Sequence, residues 1–226
     1  MIKKKSKLLL FFQLCLYSLF SQAGTEGDLK RHPLYVGIAG GYGSTTWSGL
    51  VPLDLSDEED PMRLSTPIDV SEGGGVWGFF AGYEFVPVFA LEASYMHYPD
   101  ATVTFDSFSN FTWDHGGSDG LDGLTTFVTQ TETVSLMAKF MVFISSTKIR
   151  AYSSIGAAAL HRKDILTDGW IYTPTFGAGF NTDFTPHIMG EIGANFTAGY
   201  AEAQLDPTDV YFPFLYSVVA RLAYRF

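Results

Sequence analysis

The feature that most constrains the fold of this chain is the alternation of its final segment, residues 212–226. Every second residue there is apolar, whereas Arg221 and Arg225 fall on the positions between. A period of two is typical of a β-strand whose two faces meet different surroundings. Because no charge interrupts the first face, it is predicted to lie in an apolar medium. That face consists of Phe212, Phe214, Tyr216, Val218, Ala220, Leu222, Tyr224 and Phe226.

Seven earlier segments also predict strands. The alternation is clear in five of them, which are Trp77–Phe85, Phe89–Tyr95, Val134–Val142, Phe176–Phe180 and Ile188–Phe196. A further strand begins at Leu34 and ends near Trp47. Another covers Ile149–Leu160, where Ala and Ser on both faces leave the inward face undecided. The total is eight, an even number, as in single-chain bacterial barrels.

These strands are predicted to close on themselves. After the first 23 residues no apolar run is long enough for a membrane helix, and only helices and closed barrels satisfy every backbone group in lipid. A soluble β-sandwich also alternates, but its strands do not all share one charge-free face opposite a face of small residues. We therefore predict an all-β fold, an eight-stranded antiparallel up-and-down transmembrane β-barrel. Aromatic residues near strand ends fit interfacial girdles, namely Trp47, Trp77, Tyr83, Phe85, Tyr95, Tyr200, Tyr216 and Phe226.

The first 23 residues have the order of parts of a cleaved signal peptide. Lysines at positions 3, 4, 5 and 7 precede a mainly apolar stretch over residues 8–20, and Ser21-Gln22-Ala23 supplies small residues before the cut. A lipoprotein anchor at Cys15 is the alternative, but Phe12-Gln13-Leu14 lacks the small side chains expected there. The predicted division is a signal peptide, residues 1–23, and a barrel domain, residues 24–226.

The charge balance excludes nucleic acid as a partner. The chain has 14 basic and 24 acidic residues, and loss of the four leader lysines would leave 10 basic residues and a formal charge of about −14. Phosphate binding needs clustered Lys and Arg. Cys15 is the only cysteine, so the mature chain would have neither a disulfide nor a thiolate metal site.

The connections between strands alternate in length, which predicts the orientation of the barrel. The tight ones are residues 86–88, 145–147 and 185–187, and the long polar ones are residues 48–75, 99–130, 161–172 and 201–210. Outer-membrane barrels have short periplasmic turns and long outer loops. We therefore expect a location in the bacterial outer membrane, with both mature termini in the periplasm.

The second predicted hairpin carries a family resemblance. Gly82-Tyr83-Glu84-Phe85, a proline turn and Phe89-Ala90-Leu91-Glu92-Ala93-Ser94-Tyr95 resemble the second hairpin of the small outer-membrane barrels. That family includes the transmembrane domain of outer membrane protein A, outer membrane protein X and related adhesion barrels. Lys148–Tyr152 with Ile155-Gly156-Ala157 is similar to the fifth strand of the family, though less rich in glycine. The resemblance covers nearly the whole mature chain and specifies architecture rather than activity.

The end of the chain adds to this resemblance. Leu222-Ala223-Tyr224-Arg225-Phe226 is similar to the signal by which the outer-membrane assembly machinery recognises its clients. The resemblance implies that Leu222, Tyr224 and Phe226 form that assembly signal. It also implies that the assembly machinery and outer-membrane lipid, including lipopolysaccharide, are partners. A monomer is expected.

Four charged residues are predicted to meet inside the barrel. Glu92, Lys139, Glu191 and Arg221 fall on inward faces, at similar distances from the periplasmic ends of their strands. Neighbouring strands would pair Glu92 with Lys139 and Glu191 with Arg221, and buried charges must be paired. The arrangement resembles the interior ion-pair layer of outer membrane protein A. Two interpretations stay open, a gate that switches partners and a structural plug.

No catalytic residue, metal site or cofactor is predicted. None of the five histidines has a serine two positions later, the spacing used by one lipase family of small barrels. Asp114-His115 with Ser118 could form a nucleophile and base, but it lies in a Gly-Asp-rich segment where preorganisation is poor. The acidic residues within 54–60 and 114–122 lack the spacing of a calcium loop.

Three functions stay open: a surface interaction protein, a structural or weakly conducting barrel that supports the envelope, and, least expected, a lipid-modifying enzyme. The second outer connection favours the first. Its arms near residues 101–106 and 126–130 keep alternating, which predicts a projecting hairpin with Phe108, Phe111 and Trp113 near its tip. Exposed aromatics and a strand edge suit a host or cell-surface protein. Alternatively, these aromatics lie among lipopolysaccharide sugars.

We expect the mature protein to begin at or within a few residues of Gly24, because the basic, apolar and small-residue parts occur in the order that signal peptidase requires. N-terminal sequencing of the protein from outer-membrane fractions checks this. Recovery of peptides that contain Lys3 to Lys7 would contradict it.

Overall fold

The computed structural model describes residues 32–47, 67–105, 126–164, 167–200 and 211–226. The predicted signal peptide and Phe108, Phe111 and Trp113 lie outside these residues. Within them the chain forms ten β-strands, and no helix there is long and apolar enough to cross a membrane. The strands are β1 (Leu34–Thr45), β2 (Pro67–Ser71), β3 (Gly73–Val86), β4 (Phe89–His97), β5 (Ala101–Phe105), β6 (Thr126–Phe143), β7 (Ile149–Lys163), β8 (Asp168–Asp183), β9 (Ile188–Thr197) and β10 (Leu215–Arg225).

Eight of these strands close into a barrel. β1, β3, β4, β6, β7, β8, β9 and β10 each pair antiparallel with the next, and β10 returns to pair with β1. Closure removes the free edges that an open sheet would present. The prediction of an eight-stranded antiparallel up-and-down β-barrel is confirmed.

The two faces of the wall differ as the alternation predicts. Val218 and Val219 are the same residue type, yet the first is 59% exposed and the second 2% exposed. The difference arises because successive side chains point to opposite faces of a strand. We call the exposed outward surface the apolar belt. Its members include Val36, Ile38, Phe79, Phe85, Leu91, Leu136, Phe140, Ile155, Phe176, Phe180, Ile192, Val218 and Leu222.

The orientation of β7, which the sequence left open, follows the same rule. Arg150 and Tyr152 are buried, whereas Ile149 and Ile155 are 41% and 52% exposed. Arg150 and Tyr152 therefore point into the barrel, and Ile149 and Ile155 join the belt.

The strands are strongly staggered. From Phe180 in β8, directly paired residues lead through the other seven strands and return to β8 at Trp170, ten residues away. A stagger of this kind tilts the strands by roughly 35–45°, and an eight-stranded interior is just wide enough for side chains. Inward residues from strands on opposite sides of the barrel can therefore touch.

Beyond the barrel, β2, β5 and the start of β6 form a separate three-stranded extension. β5 pairs with the start of β6, Thr102 lying opposite Val128, and β2 pairs with β5, Ser71 lying opposite Thr102. The sequence predicted the two arms of this extension but placed β2 in a long polar connection. Five residues without a uniform apolar face gave no alternation by which to detect it.

Two other expectations need correction. β8 covers Asp168–Asp183 rather than Phe176–Phe180, so the predicted long connection over residues 161–172 is mostly strand. Asp168 and Pro174 on the outward face, and the apolar Ile171 on the other face, interrupt the apolar period although the backbone still pairs. Phe212 was predicted on the apolar face, but it is 4% exposed and forms a bridge with Tyr200.

One end of the barrel holds the three short turns and both ends of the described barrel chain. There the N–H of Phe226 donates to the carbonyl of Leu34 at 2.9 Å, and the N–H of Arg225 donates to the carbonyl of His187 at 2.8 Å. We call this the turn end and the opposite end the loop end. The final residue is thereby fixed to the start of β1, and its side chain points outward, 55% exposed.

We expect Phe226→Asp to reduce the amount of assembled barrel strongly. A charge on a lipid face costs up to about 2–4 kcal/mol at mid-membrane and less near its edge, so damage to the implied assembly signal should dominate. The measurement is the heat-modifiable, folded fraction in outer membranes. Phe85→Asp is the matched control, because Phe85 is 57% exposed at the same end but lies outside the final strand. Equal losses for both variants would mean that the cost of a charge on the lipid face is responsible, and not damage to the assembly signal.

Candidate functional site

The four charged residues predicted to meet inside the barrel lie together in one layer. Arg221 contacts Glu92 and Glu191, each at 2.5 Å. Lys139 also contacts both carboxylates, Glu92 at 3.5 Å and Glu191 more closely. We call Glu92, Lys139, Glu191 and Arg221 the central charge layer. Instead of two separate pairs, the structure has one network in which each cation bridges both anions.

The register explains the contacts along the wall, and the narrow lumen explains the others. Arg221 lies directly opposite Glu191 on neighbouring strands, so their pairing could be predicted. Lys139 on β6 and Glu191 on β9 are not on neighbouring strands, and their contact crosses the lumen. Sequence spacing gives wall neighbours but no distance across the barrel, which is why this contact was missed.

Aromatic side chains complete the central charge layer. The hydroxyl of Tyr35 donates to Glu92 at 3.0 Å. The ring of Tyr152 lies 4.1 Å from the Lys139 ammonium, and the ring of Phe80 lies 3.7 Å from the Arg221 guanidinium. These contacts are cation–π interactions. Gly193 makes room for Tyr152, because a Cβ there would lie 2.0 Å from the tyrosine hydroxyl.

A second charged layer, which the sequence did not predict, lies nearer the turn end. Arg150 donates to both oxygens of Glu84, at 3.0 and 3.1 Å, and Arg225 donates to the same carboxylate at 2.8 Å. Asp183 lies 3.0 Å from Arg225 and 3.5 Å from Arg150. We call Glu84, Arg150, Asp183 and Arg225 the turn-end charge layer. It again holds two anions and two cations.

A signal for this layer was present in the sequence. Glu84 and Arg225 both fell on inward faces, and a buried carboxylate needs cationic partners. Arg150 and Tyr152 share one face of β7 by their spacing. The need to neutralise Glu84 would have selected that face as the inward one.

Above the central charge layer the interior becomes uncharged. A cavity of about 20 Å³ has Ser94, Ser135, Thr175 and Asn195 among its lining residues, and Glu92 and Arg221 form its floor. That volume is enough for about one water molecule. Farther towards the loop end, apolar side chains fill the lumen, including the fully buried Leu160 and Leu215.

The loop end of the lumen is closed by a cap of Trp47, Arg162 and Tyr211. Trp47 was predicted in an interfacial girdle, but it is fully buried, and the Arg162 guanidinium lies 4.7 Å from its ring. Arg162 donates to Asp164 at 2.5 Å and to the carbonyl of Tyr211. Trp47 follows the last residues of β1, where the chain turns over the barrel mouth, and the period-two pattern cannot predict that turn.

The other predicted residues have separate positions. Leu222, Tyr224 and Phe226 point outward from the last strand and are 52%, 49% and 55% exposed. Among the described residues no group of three potential ligands is arranged to hold a metal. Asp114, His115 and Ser118 lie outside those residues.

We expect Lys139→Met to lower the free energy of unfolding by roughly 3–5 kcal/mol, because it leaves Arg221 alone between two buried carboxylates. Adding Glu191→Gln should restore most of the loss, since the Arg221–Glu92 pair stays neutral. Urea unfolding in lipid vesicles measures both effects. Met141→Leu, another inward change on β6, is the control. Equal losses in the single and double variants would show that Lys139 and Glu191 are not coupled.

The architecture can be compared with known proteins. No family model and no curated protein matches the sequence. Neisserial surface protein A has a similar structure, with a TM-score of 0.50 at 11% identity, over 85% of this chain and 97% of that one. OprG from Pseudomonas aeruginosa has a TM-score of 0.49 at 12% identity, over 88% of this chain and 99% of that one. The N-terminal β-barrel domain of Pseudomonas aeruginosa OprF has a TM-score of 0.48 at 12% identity, over 87% and 98%.

At these identities the likeness concerns the fold alone. Neisserial surface protein A is matched over nearly its whole length, and the present chain closes the same kind of barrel with eight antiparallel strands. The chain therefore has the fold of the small outer-membrane β-barrels, as the second hairpin and the final strand predicted.

Proposed function

We propose that this chain is a bacterial outer-membrane protein whose barrel is a sealed anchor and whose projecting extension binds a protein partner at the cell surface. The observation that carries the proposal is the extension of β2, β5 and the start of β6 beyond the closed barrel. A barrel that only filled the membrane would need strands of about 9–11 residues, whereas β6 has 18.

The apolar belt supports the membrane location. On β6 the outward residues from Val134 to Val142 are all apolar, and the next outward residue towards the loop end is Glu132. Nine residues of a tilted strand match the apolar band of about 25 Å that lipid-facing barrels present. In water the exposed aromatic and aliphatic side chains of the belt would form a surface far larger than monomeric soluble proteins carry.

The orientation follows from the turns. Short turns face the periplasm in barrels of this type, which supports a periplasmic position for the turn end and both mature termini. The extension then projects outside the cell. The assembly machinery would act on the final strand, and lipopolysaccharide would surround the barrel as lipid rather than as the surface partner.

The extension offers two means of binding a protein. Its strands can accept a further strand at an edge by backbone pairing, and the connection over residues 106–125 contains Phe108, Phe111 and Trp113, the residue types that dominate interface energetics. An extended segment of a host or neighbouring-cell surface protein fits both features. We propose no catalytic role.

The alternative function is a structural barrel without a surface partner. The two charge layers and the cap of Trp47, Arg162 and Tyr211 fill the lumen at three levels, and this favours a structural barrel over a conducting one. Conductance in planar bilayers distinguishes the two, and open-channel currents at neutral pH would favour the pore.

We expect replacement of residues 107–124 by a short Gly-Ser linker to leave insertion and heat stability intact and to abolish attachment to host or neighbouring cells. The physical reason is that the barrel is closed without this segment. Cell attachment of strains carrying either variant is the measurement, with heat-modifiability as the folding check. An equal-length Gly-Ser replacement of residues 203–208, in another loop-end connection, is the control. Unchanged attachment would favour the structural alternative, and failed insertion would assign the segment to the barrel.

A further inference from the structure

We infer that His32 and His187 form a binding site, at the turn end of the barrel, for a transition-metal ion that prefers nitrogen ligands, such as Zn²⁺. We call these two residues the histidine pair. Their rings lie beside each other, with centroids 4.4 Å apart and planes inclined by 41°. The inference concerns the opposite end of the molecule from the proposed surface partner and does not depend on that partner.

The strand order brings the two histidines together. His32 lies two residues before β1, and His187 lies directly before β9. Between these strands runs β10. Its Arg225 donates through the backbone N–H to the His187 carbonyl at 2.8 Å, and through the guanidinium to the His32 carbonyl at 3.4 Å. The histidine pair therefore spans the end of the last strand, and one arginine fixes the backbone of both residues.

The ring of His187 is held in the tautomer that a metal ligand needs. Its Nδ1 lies 3.0 Å from the carbonyl oxygen of Arg225. A carbonyl only accepts, so Nδ1 donates, and in the neutral imidazole the lone pair is on Nε2. Metal-binding histidines almost always donate their other ring N–H to a carbonyl, a carboxylate or water. The ring of Tyr224 stacks on the imidazole at 5.5 Å and 11°, which also holds its plane.

The separation of the rings suits one shared ion. Zn–N bonds measure about 2.0–2.1 Å, so two imidazoles on one Zn²⁺ have ring centroids roughly 4.5–5.5 Å apart. The observed 4.4 Å is just below this range, and a small rotation of the His32 side chain would reach it. His32 is partly buried and His187 is exposed. An ion can therefore enter from solution, and water can complete its coordination shell.

The surrounding charge permits a cation at this place. Arg225 is positive, but Glu84 at 2.8 Å and Asp183 at 3.0 Å offset its charge. Imidazole nitrogen suits Zn²⁺, Cu²⁺ and Ni²⁺, whereas Mg²⁺ and Ca²⁺ prefer oxygen ligands. The other described histidines, His97 and His161, contact tryptophan rings instead of a second imidazole. The histidine pair is thus distinguished from them by its chemistry.

The test uses the full mature chain, without an affinity tag, in phosphatidylcholine nanodiscs, with empty discs as the blank. Isothermal titration calorimetry measures the binding of Zn²⁺, and of Mg²⁺ and Ca²⁺ for comparison. We expect a Zn²⁺ site with a Kd on the order of 10 µM, because two protein ligands supply roughly half the binding free energy of a four-ligand structural site. Absence of Zn²⁺ binding, or equally strong binding of Mg²⁺, overturns the inference and leaves the histidine pair as a stacking contact.

Variants locate the ion. His32→Ala removes one ligand and keeps the backbone carbonyl that Arg225 contacts. His187→Asn removes Nε2 and keeps an N–H donor near the position of Nδ1. Each should weaken Zn²⁺ binding roughly tenfold to a hundredfold, whereas His161→Ala, at the loop end, should bind as the unaltered chain does. If one variant does not fold, the other decides. Unchanged binding in a folded variant, or loss of binding in His161→Ala, contradicts the inference.

A second measurement asks whether the ion bridges the two histidines. The N–H of Arg225 is bonded to the His187 carbonyl, so its hydrogen exchange reports on the closure of the last strand. With Zn²⁺ at about ten times its Kd, this exchange should slow about tenfold, and the slowing should disappear in His32→Ala. Exchange unaffected by bound Zn²⁺, or slowing that persists in His32→Ala, contradicts a bridge between the two residues.

Discussion

The structure depends on one constraint, the neutralisation of charge in a lumen too narrow for bulk water. Glu84, Glu92, Asp183 and Glu191 face four cations in two successive layers, and each layer is neutral by itself. Leaving one such charge without its partner costs several kcal/mol. Both the ion pairs inside the barrel and the apolar belt outside it therefore determine which face of each strand points inward.

This constraint explains how much the sequence predicted. The alternation identified seven of the eight barrel strands with their facing. It did so because a charge on the outward face is costly in lipid, so the outward positions of the apolar belt stay uncharged in the sequence. It could not orient β7, where Ala and Ser occupy both faces, and Arg150 was missed for that reason. Phe212 was assigned to the outward face by its period, and Trp47 to an aromatic girdle by its position near a strand end, but both side chains are buried at the loop end. Arg150 contacts Glu84 and Trp47 contacts Arg162 across the lumen, and no spacing along the chain measures that distance.

The two ends of the molecule carry different parts of the proposed function. At the turn end, short hairpins and the hydrogen bond between Phe226 and Leu34 complete the wall. At the loop end, β6, β7 and β8 rise above β9, β10 and β1, so the rim is high on one side and low on the other. The extension stands on the high side. A surface partner of the proposed kind would meet its edge and the segment beyond it.

The distribution of the charge layers along the chain bears on how the barrel folds. In these layers the β3–β4 hairpin contributes only Glu84 and Glu92, whereas the β6–β7 hairpin contributes only Lys139 and Arg150. Arg221 and Arg225, which complete both networks, come from the last strand. These two hairpins match each other, whereas the β8–β9 hairpin adds two further anions, Asp183 and Glu191. The last strand therefore does more than close the wall, because Arg221 and Arg225 bring the two cations that make both layers neutral.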